Sequence, residues 1–433
     1  QINIRMFRPM ESYQKYGGVL TFARSVGYAV VKKPEGYTTA KVDQIIQEYE
    51  KKSANEQQST AKQYPNIITV VNETFADIKV LGDFKTNEDY MPYFHSLKKN
   101  CVTGYTYASI VGGQTANTEF ELLTGNTLGF LSAGTTAFQL YIHGQMPSLV
   151  SNLKAEGYSG NKAMHPFNPY NYNRPAVYKD FGFTDFIDKF DFPKNVKRVR
   201  EYISDEANVD RIISEYEKNR KKTDQPFYMY NMTIQNHSPY DKDAANFKQP
   251  IKIESSKYDA EANRYLNLIK YSDDSLKQLT SYFEKCKEPT IILFLGDHQP
   301  RLTDEFMNKI TNGQYQTWSS EQMMKRYQVP FVIWANYDIK EQHIEKTSMN
   351  YIQSILTKTA GVKMTGYQRF LNEVRKEVPT ITSQGYWGKN GKFYQINDKG
   401  SPYYGIIQKY RMIQYNMMFD KKNRRDSFFE VSK

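Results

Sequence analysis

The chain has very little cysteine. Only Cys101 and Cys286 occur in 433 residues, too few for a disulfide framework or a thiolate metal cage. That scarcity suits the cytosol and a Gram-positive extracellular setting equally, so it does not choose a compartment. Long apolar runs are missing too. No stretch approaches the roughly 18 consecutive apolar residues that span a bilayer, and the opening QINIRMFRPMESY lacks the apolar core of a signal peptide. No Met opens the chain, so the expectation is a segment that begins within a longer protein. Several chemistries are absent by motif: there is no GxxxxGK[ST] phosphate loop, no GxGxxG, no GxSxG elbow and no HExxH.

What is present is an ordinary globular composition, 39% hydrophobic and 24% charged. Lys and Arg total 58 against 47 Asp and Glu, a net charge of +11. The excess is spread out, with clusters at 194–200, 218–222 and 421–425. Such a surface suits an anionic membrane, a polyanion or nucleic acid. No nucleic-acid-binding motif accompanies the charge, so nucleic acid is not the expected partner. The 35 Tyr and 25 Phe suit carbohydrate or interfacial contact.

Residues 1–62 read as a lead-in arm with GGV and KKPEGY turns, a polar helix from Lys41 to about Gln58, and a linker-like SANEQQST. Residues 63–375 read as the main domain. YPNIITVVNETF, FYMYNMTIQNH, PTIILFLGDH and VPFVIWAN carry the near-continuous aliphatic runs of strands buried on both faces. Helical patterns separate them, at 209–219 and 258–286. Strands alternating with helices predict a three-layer α/β/α sandwich on a mostly parallel sheet. Residues 376–433 read as a small Tyr-rich α+β subdomain, in which GYWGKNGKFYQIN and GSPYYGIIQKYRMIQYN suggest hairpin or edge-strand pieces.

Ligands of parallel sheets bind beyond the carboxyl ends of the strands. Three such ends carry metal-ligand chemistry: Glu73 after IITVV, Asp297-His298 after IILFL, and His237 after NMTIQN. A fourth element is GGQTANTEFELLTG. Thr118 and Glu121 fit a capping box and Gly125 a helix stop. Thr115 is not needed for that cap and sits just before a helix N-terminus, where a phosphate would bind. A hydroxyl attacks only with help, and metal coordination supplies it. Glu73, Thr115, Asp297 and His298 together offer four ligands. This mixed set suits Mn²⁺, the ion taken here, or Mg²⁺ or Zn²⁺. Cys101 lies in KNCVTGY, outside the Cys-x-Pro/Ala-x-Arg setting from which sulfatases make formylglycine. Both cysteines read as plain buried residues.

In order, YPNIITVVNETF, GGQTANTEFELLTGN, MHPFNPYNYNRPAVYKDFGF, NMTIQNHSPY and LFLGDHQP resemble the extracellular catalytic domain of the lipoteichoic acid synthase family, in the alkaline phosphatase/sulfatase superfamily. The resemblance implies a metal set of Glu73, Thr115, Asp297 and His298, with Thr115 as nucleophile and His237 as a substrate-binding and catalytic residue. It implies a head-group pocket of His165, Tyr172 and Arg174, in which Tyr172 stands where the family usually has Trp. An Arg there suits bidentate phosphate binding. The implied donor is the head group of phosphatidylglycerol at an anionic membrane, and the acceptor a glycerolphosphate polymer or a wall polysaccharide. The implied setting is the outer face of a Gram-positive membrane, with N-terminal anchoring helices outside this chain and a monomeric domain. Other members of the superfamily suggest phosphodiesterase or phosphoethanolamine transferase activity, and a non-catalytic binding module is the remaining alternative.

Overall fold

The computed structural model describes residues 31–56 and 63–431. The GGV turn and positions 57–60 of the linker-like segment lie outside the described residues. Helix α1 (Thr39–Lys52) opens on a Thr38 side-chain cap and ends at Lys52, short of the expected Gln58.

Strand β1 (Asn66–Asn72) is buried at every position, as its unbroken Ile/Val run requires. It is followed by β2 (Cys101–Tyr107), helix α2 (Thr115–Thr124), β3 (Ser159–Met164), helix α3 (Arg174–Phe181) and β4 (Asp185–Ile187). A short hairpin of β5 (Arg198–Val199) and β6 (Tyr202–Ile203) precedes helix α4 (Asp205–Arg220). The chain continues through β7 (Phe227–Met232), helix α5 (Ala260–Phe283), β8 (Thr290–Gly296), β9 (Gln328–Ala335) and β10 (Gln342–Ser348). Helices α6 (Met349–Thr359) and α7 (Gly366–Glu377) then lead to β11 (Thr380–Thr382), β12 (Gly385–Trp387), β13 (Phe393–Tyr394) and helix α8 (Tyr404–Met418).

The central sheet has the order β10-β2-β9-β8-β1-β7-β3-β4. Seven strands run one way and β9 runs against both its neighbours. The VPFVIWAN run is thus buried as expected, but a buried aliphatic run carries no information on direction. Helices α4 and α5 pack on each other on one side, and α2, α6 and α7 form a second helical group. This is the α/β sandwich the strand and helix patterns imply. One contiguous hydrophobic core reaches from Tyr37 to Phe429.

GYWGKNGKFYQIN forms the β12–β13 hairpin, as expected. GSPYYGIIQKYRMIQYN does not form an edge strand: it is α8. Its Tyr and Ile content favours strands, yet Ile407, Tyr410, Ile413 and Met417 recur every three or four residues and are all buried, which is the helical period. The helix packs against α1, with Lys409 Nζ 2.7 Å from Glu48, and beyond its end Arg425 Nε lies 2.6 Å from Asp43.

Candidate active site

Strand register builds the site. Asn72 of β1 pairs with Gly296 of β8, so the residues that follow, Glu73 and Asp297, leave adjacent strands side by side. On the other flank Val71 pairs with Met232 of β7, and Met164 of β3 pairs with Asn231, so His165 and the 233–237 loop emerge at the same sheet edge. Gly296 must be glycine: a Cβ there would lie 1.9 Å from the Phe75 carbonyl oxygen.

Helix α2 delivers Thr115 to this edge. Gly112, Gly113 and Gln114 all have positive φ, at 67°, 143° and 64°, and they turn the chain so that Thr115 is the first helical residue. Its Oγ1 donates to Asp297 Oδ2 at 2.9 Å. The expected capping box is not formed. Gln114 occupies the cap without a side-chain bond, Thr118 donates to the Asp297 carbonyl at 2.8 Å, and Glu121 accepts from Ser109 and from the Leu128 N–H. Burial pushes the Glu121 carboxyl up to about 7. The helix begins four residues earlier than a Thr118 cap would allow because the glycine turn already fixes its start. Gly125 ends it at φ 72°, as expected.

Glu73, Asp297 and His298 are buried, and each offers a ligand atom within 4.8 Å of the others. His298 Nε2 lies 3.1 Å from Asp297 Oδ2 and 3.8 Å from Glu73 Oε1. It has no hydrogen-bond partner although it is buried, while its Nδ1 is 2.9 Å from the Gln299 carbonyl. A carbonyl only accepts, so Nδ1 carries a proton, and Nε2 is the ring nitrogen left facing two carboxylates. Burial, and then the charge of Asp297, hold the Glu73 carboxyl well above its usual range. An orphaned imidazole nitrogen between crowded carboxylates is the donor set a divalent cation fits. Thr115 Oγ1, on the same Asp297 oxygen, is placed to join it.

His165 and His237 repeat the tautomer. His165 Nδ1 lies 3.0 Å from Met232 O, and His237 Nδ1 lies 2.7 Å from Ser238 O. Burial lowers both imidazoles, His165 well below its usual value. Both are therefore neutral, with an unprotonated Nε2. The His237 ring is held between Phe167 and Tyr202, at centroid distances of 6.2 and 5.8 Å. Its loop is clamped by Arg200, which donates to the carbonyls of Gln235 and His237 at 2.8 Å. One member of the basic 194–200 cluster is thus structural.

Arg174 opens α3 and is 1% exposed. Its Nε and Nη2 donate to Glu119 Oε1 at 3.0 and 2.7 Å, and its guanidinium carbon lies 5.0 Å from the Tyr172 ring centroid. Tyr178 and Tyr230 donate to the other Glu119 oxygen. Sequence reading missed Glu119. The available signal was its place four residues after Thr115, which sets both on one face of α2. Asp205 was missed as well. It lies buried beneath the site and accepts from Asn72 and Ser272 at 2.8 and 2.6 Å. Asn236 donates to Asn72, Glu73 O and Ser272, which ties that layer to the Glu73 backbone.

One cleft of about 550 Å³ is lined by Glu73, Thr115, His165, Tyr172, Arg174, His237 and His298 among others. Seven of the eight site residues picked from the sequence line it, and the eighth, Asp297, lies directly beneath. Cys101 is buried and Cys286 only half-buried, and neither lines the cleft.

The sulfatase family profile matches residues 65–362; the chain belongs to the sulfatase family. The relatives narrow the comparison. A Rhizobium meliloti (strain 1021) protein, named provisionally for cyclic beta-1,2-glucan modification, is 30% identical across 98% of this chain and 65% of its own length. The lipoteichoic acid synthase-like YvgJ of Bacillus subtilis (strain 168) is 27% identical across 54% of this chain and 36% of its own. The likeness to lipoteichoic acid synthases is thereby borne out. The chain spans less than two thirds of the length of these curated relatives. Among solved structures, Streptococcus pyogenes phosphoglycerol transferase GacH, in complex with sn-glycerol-1-phosphate, superposes with a TM-score of 0.74 at 20% identity, over 93% of this chain and all of that one. It shares the fold. Among the described residues, no helix is long and apolar enough to cross a membrane.

Proposed function

We propose that the cleft transfers a glycerolphosphoryl group from phosphatidylglycerol to a polymer hydroxyl, with Thr115 as nucleophile. The observation that carries this reading is the 2.9 Å bond from Thr115 Oγ1 to Asp297 within the metal-competent cluster, at the first turn of a helix whose free N–H groups favour an anion. Glu73, Asp297, His298 and Thr115 would hold a divalent ion, Mn²⁺ in the first instance. When bound, that ion lowers the pKa of the Thr hydroxyl and polarises the phosphoryl oxygens.

The residues then divide the work. Glu119 occupies the Nε–Nη2 edge of Arg174, so Nη1 and the second Nη2 hydrogen are the donors left for a phosphate. His165, neutral with a bare Nε2, accepts a hydrogen bond from a glycerol hydroxyl beside it. Thr115 Oγ bonds phosphorus as the bond to the diacylglycerol oxygen breaks, and His237 Nε2 relays the Thr proton to that departing oxygen. In the second half-reaction His237 takes the acceptor's hydroxyl proton, the acceptor oxygen bonds phosphorus as the phosphorus–Thr115 Oγ bond breaks, and His237 returns the proton to Oγ. The Rhizobium relative's name favours a polysaccharide over a glycerolphosphate chain as acceptor. The setting that follows is the outer face of a membrane.

The test is release of diacylglycerol from fluorescent phosphatidylglycerol, with phosphatidylethanolamine as the contrasting donor. Release is expected from phosphatidylglycerol alone, abolished by a chelator and restored by Mn²⁺, and reduced about 10³-fold or more in Thr115→Ala. A Thr115→Ala protein with the wild-type rate would sink the reading.

A further inference from the structure

A second concavity, of about 950 Å³, adjoins the cleft. The two share Phe167, and Phe167 and Tyr202 on its wall are the rings that hold His237. Its lining is mixed but more apolar than polar, with Phe192 and Ile203 buried. Its rim is cationic: Lys189, Lys194 and Arg198 stand there against a single carboxylate, Glu201. Neither Lys189 nor Lys194 has an ion-pair partner among the described residues. At the lip Phe190 is 73% exposed, with Lys189 Nζ 4.9 Å from its ring centroid.

A lone exposed aromatic calls for no explanation. One standing among unpaired cations at the mouth of a mainly apolar groove marks an interaction surface. Aromatic tips beside Lys side chains suit the water–lipid boundary, where the ring enters the acyl region and the ammonium meets lipid phosphates. A neutral saccharide would call for carboxylates and amides between the rings, and the groove offers Glu201 alone. We infer that this groove docks the diacylglycerol end of an anionic glycerophospholipid presented by a bilayer. The phosphodiester would then reach the cleft past Phe167, and the hairpin of β5 and β6 with the 189–194 segment would face the membrane. The inference rests on the phosphodiester reading of the cleft and adds the side from which the lipid enters and leaves.

The test uses the full chain and cosedimentation with phosphatidylcholine vesicles, with and without phosphatidylglycerol. Binding is expected only with phosphatidylglycerol. Phe190→Ser should lower the partition coefficient about tenfold, and Lys194→Ser about fivefold. Both variants should cleave a water-soluble chromogenic glycerophosphodiester at the wild-type rate. Unchanged vesicle binding in both variants would overturn the proposal. So would a raised KM for a soluble polysaccharide acceptor with vesicle binding intact. If the wild type cleaves no diester, the cleft reading fails while the vesicle data still decide the groove.

Discussion

Arg174 shows how a single residue depends on one that the sequence reading passed over. A guanidinium 1% exposed is tolerable only when paired, and Glu119 pairs it at 2.7 Å while two tyrosines fill the other carboxylate oxygen. Because Glu119 and Thr115 share one face of α2, the same rigid helix sets the positions of Thr115 and Arg174, the proposed nucleophile and phosphate-binding residue. Glu119→Gln should therefore cost about 3 kcal/mol of stability. It should also raise KM for the diester about tenfold, with a smaller change in kcat. Thermal melts and steady-state kinetics on the same preparation check both. A stability loss with KM unmoved would leave Glu119 a structural residue only. Thr115, Glu73, Asp297 and His298 were legible because each follows a buried run or a glycine turn, where a polar residue stands out. Glu119 was not, because an acid in mid-helix ordinarily faces water.

Among the elements, α4 is fastened to the sheet by charge. Glu215 accepts from Lys162 of β3 at 2.9 Å and from Arg211 at 2.9 Å, and Lys218 lies 3.2 Å away. Burial opposes its ionisation, but these cations outweigh it and hold the carboxyl down at about 2. The folded value lies below the unfolded one, so the stabilisation is present above about pH 4.5 and is lost as pH falls toward 2. Glu215→Gln should cost about 2 kcal/mol at pH 7 and flatten the acid limb of the stability profile. Urea melts at pH 7 and pH 3 test this, and equal losses at both pH values would contradict it. Much of the element plan could be read directly, since the runs that became β1, β7 and β8 are apolar on both faces. Strand direction in β9 could not, because it is fixed by partners far along the chain. The helix α8 could have been read from its spacing, but its strand-prone composition pointed the other way.

For the whole molecule, the charge of +11 divides into parts with different roles. Arg425 and Lys409 bind the arm helix α1 to the C-terminal region, Arg200 clamps the His237 loop, and Lys189 and Lys194 remain unpaired beside the cleft. Among the described residues, exposed cations without an ion pair also stand elsewhere, at Lys221, Lys222, Lys285 and Lys287 for example, and the pair at 189 and 194 is set apart by its place beside the cleft, a distinction the linear sequence does not carry. The central claim is that Thr115 carries the transferred group. The most direct measurement is intact mass after incubation with phosphatidylglycerol and Mn²⁺ without acceptor, quenched in acid, followed by peptide mapping. The account predicts one phosphoglycerol adduct on Thr115, absent from Thr115→Ala. An adduct on another residue, or sustained turnover with no adduct, would contradict it.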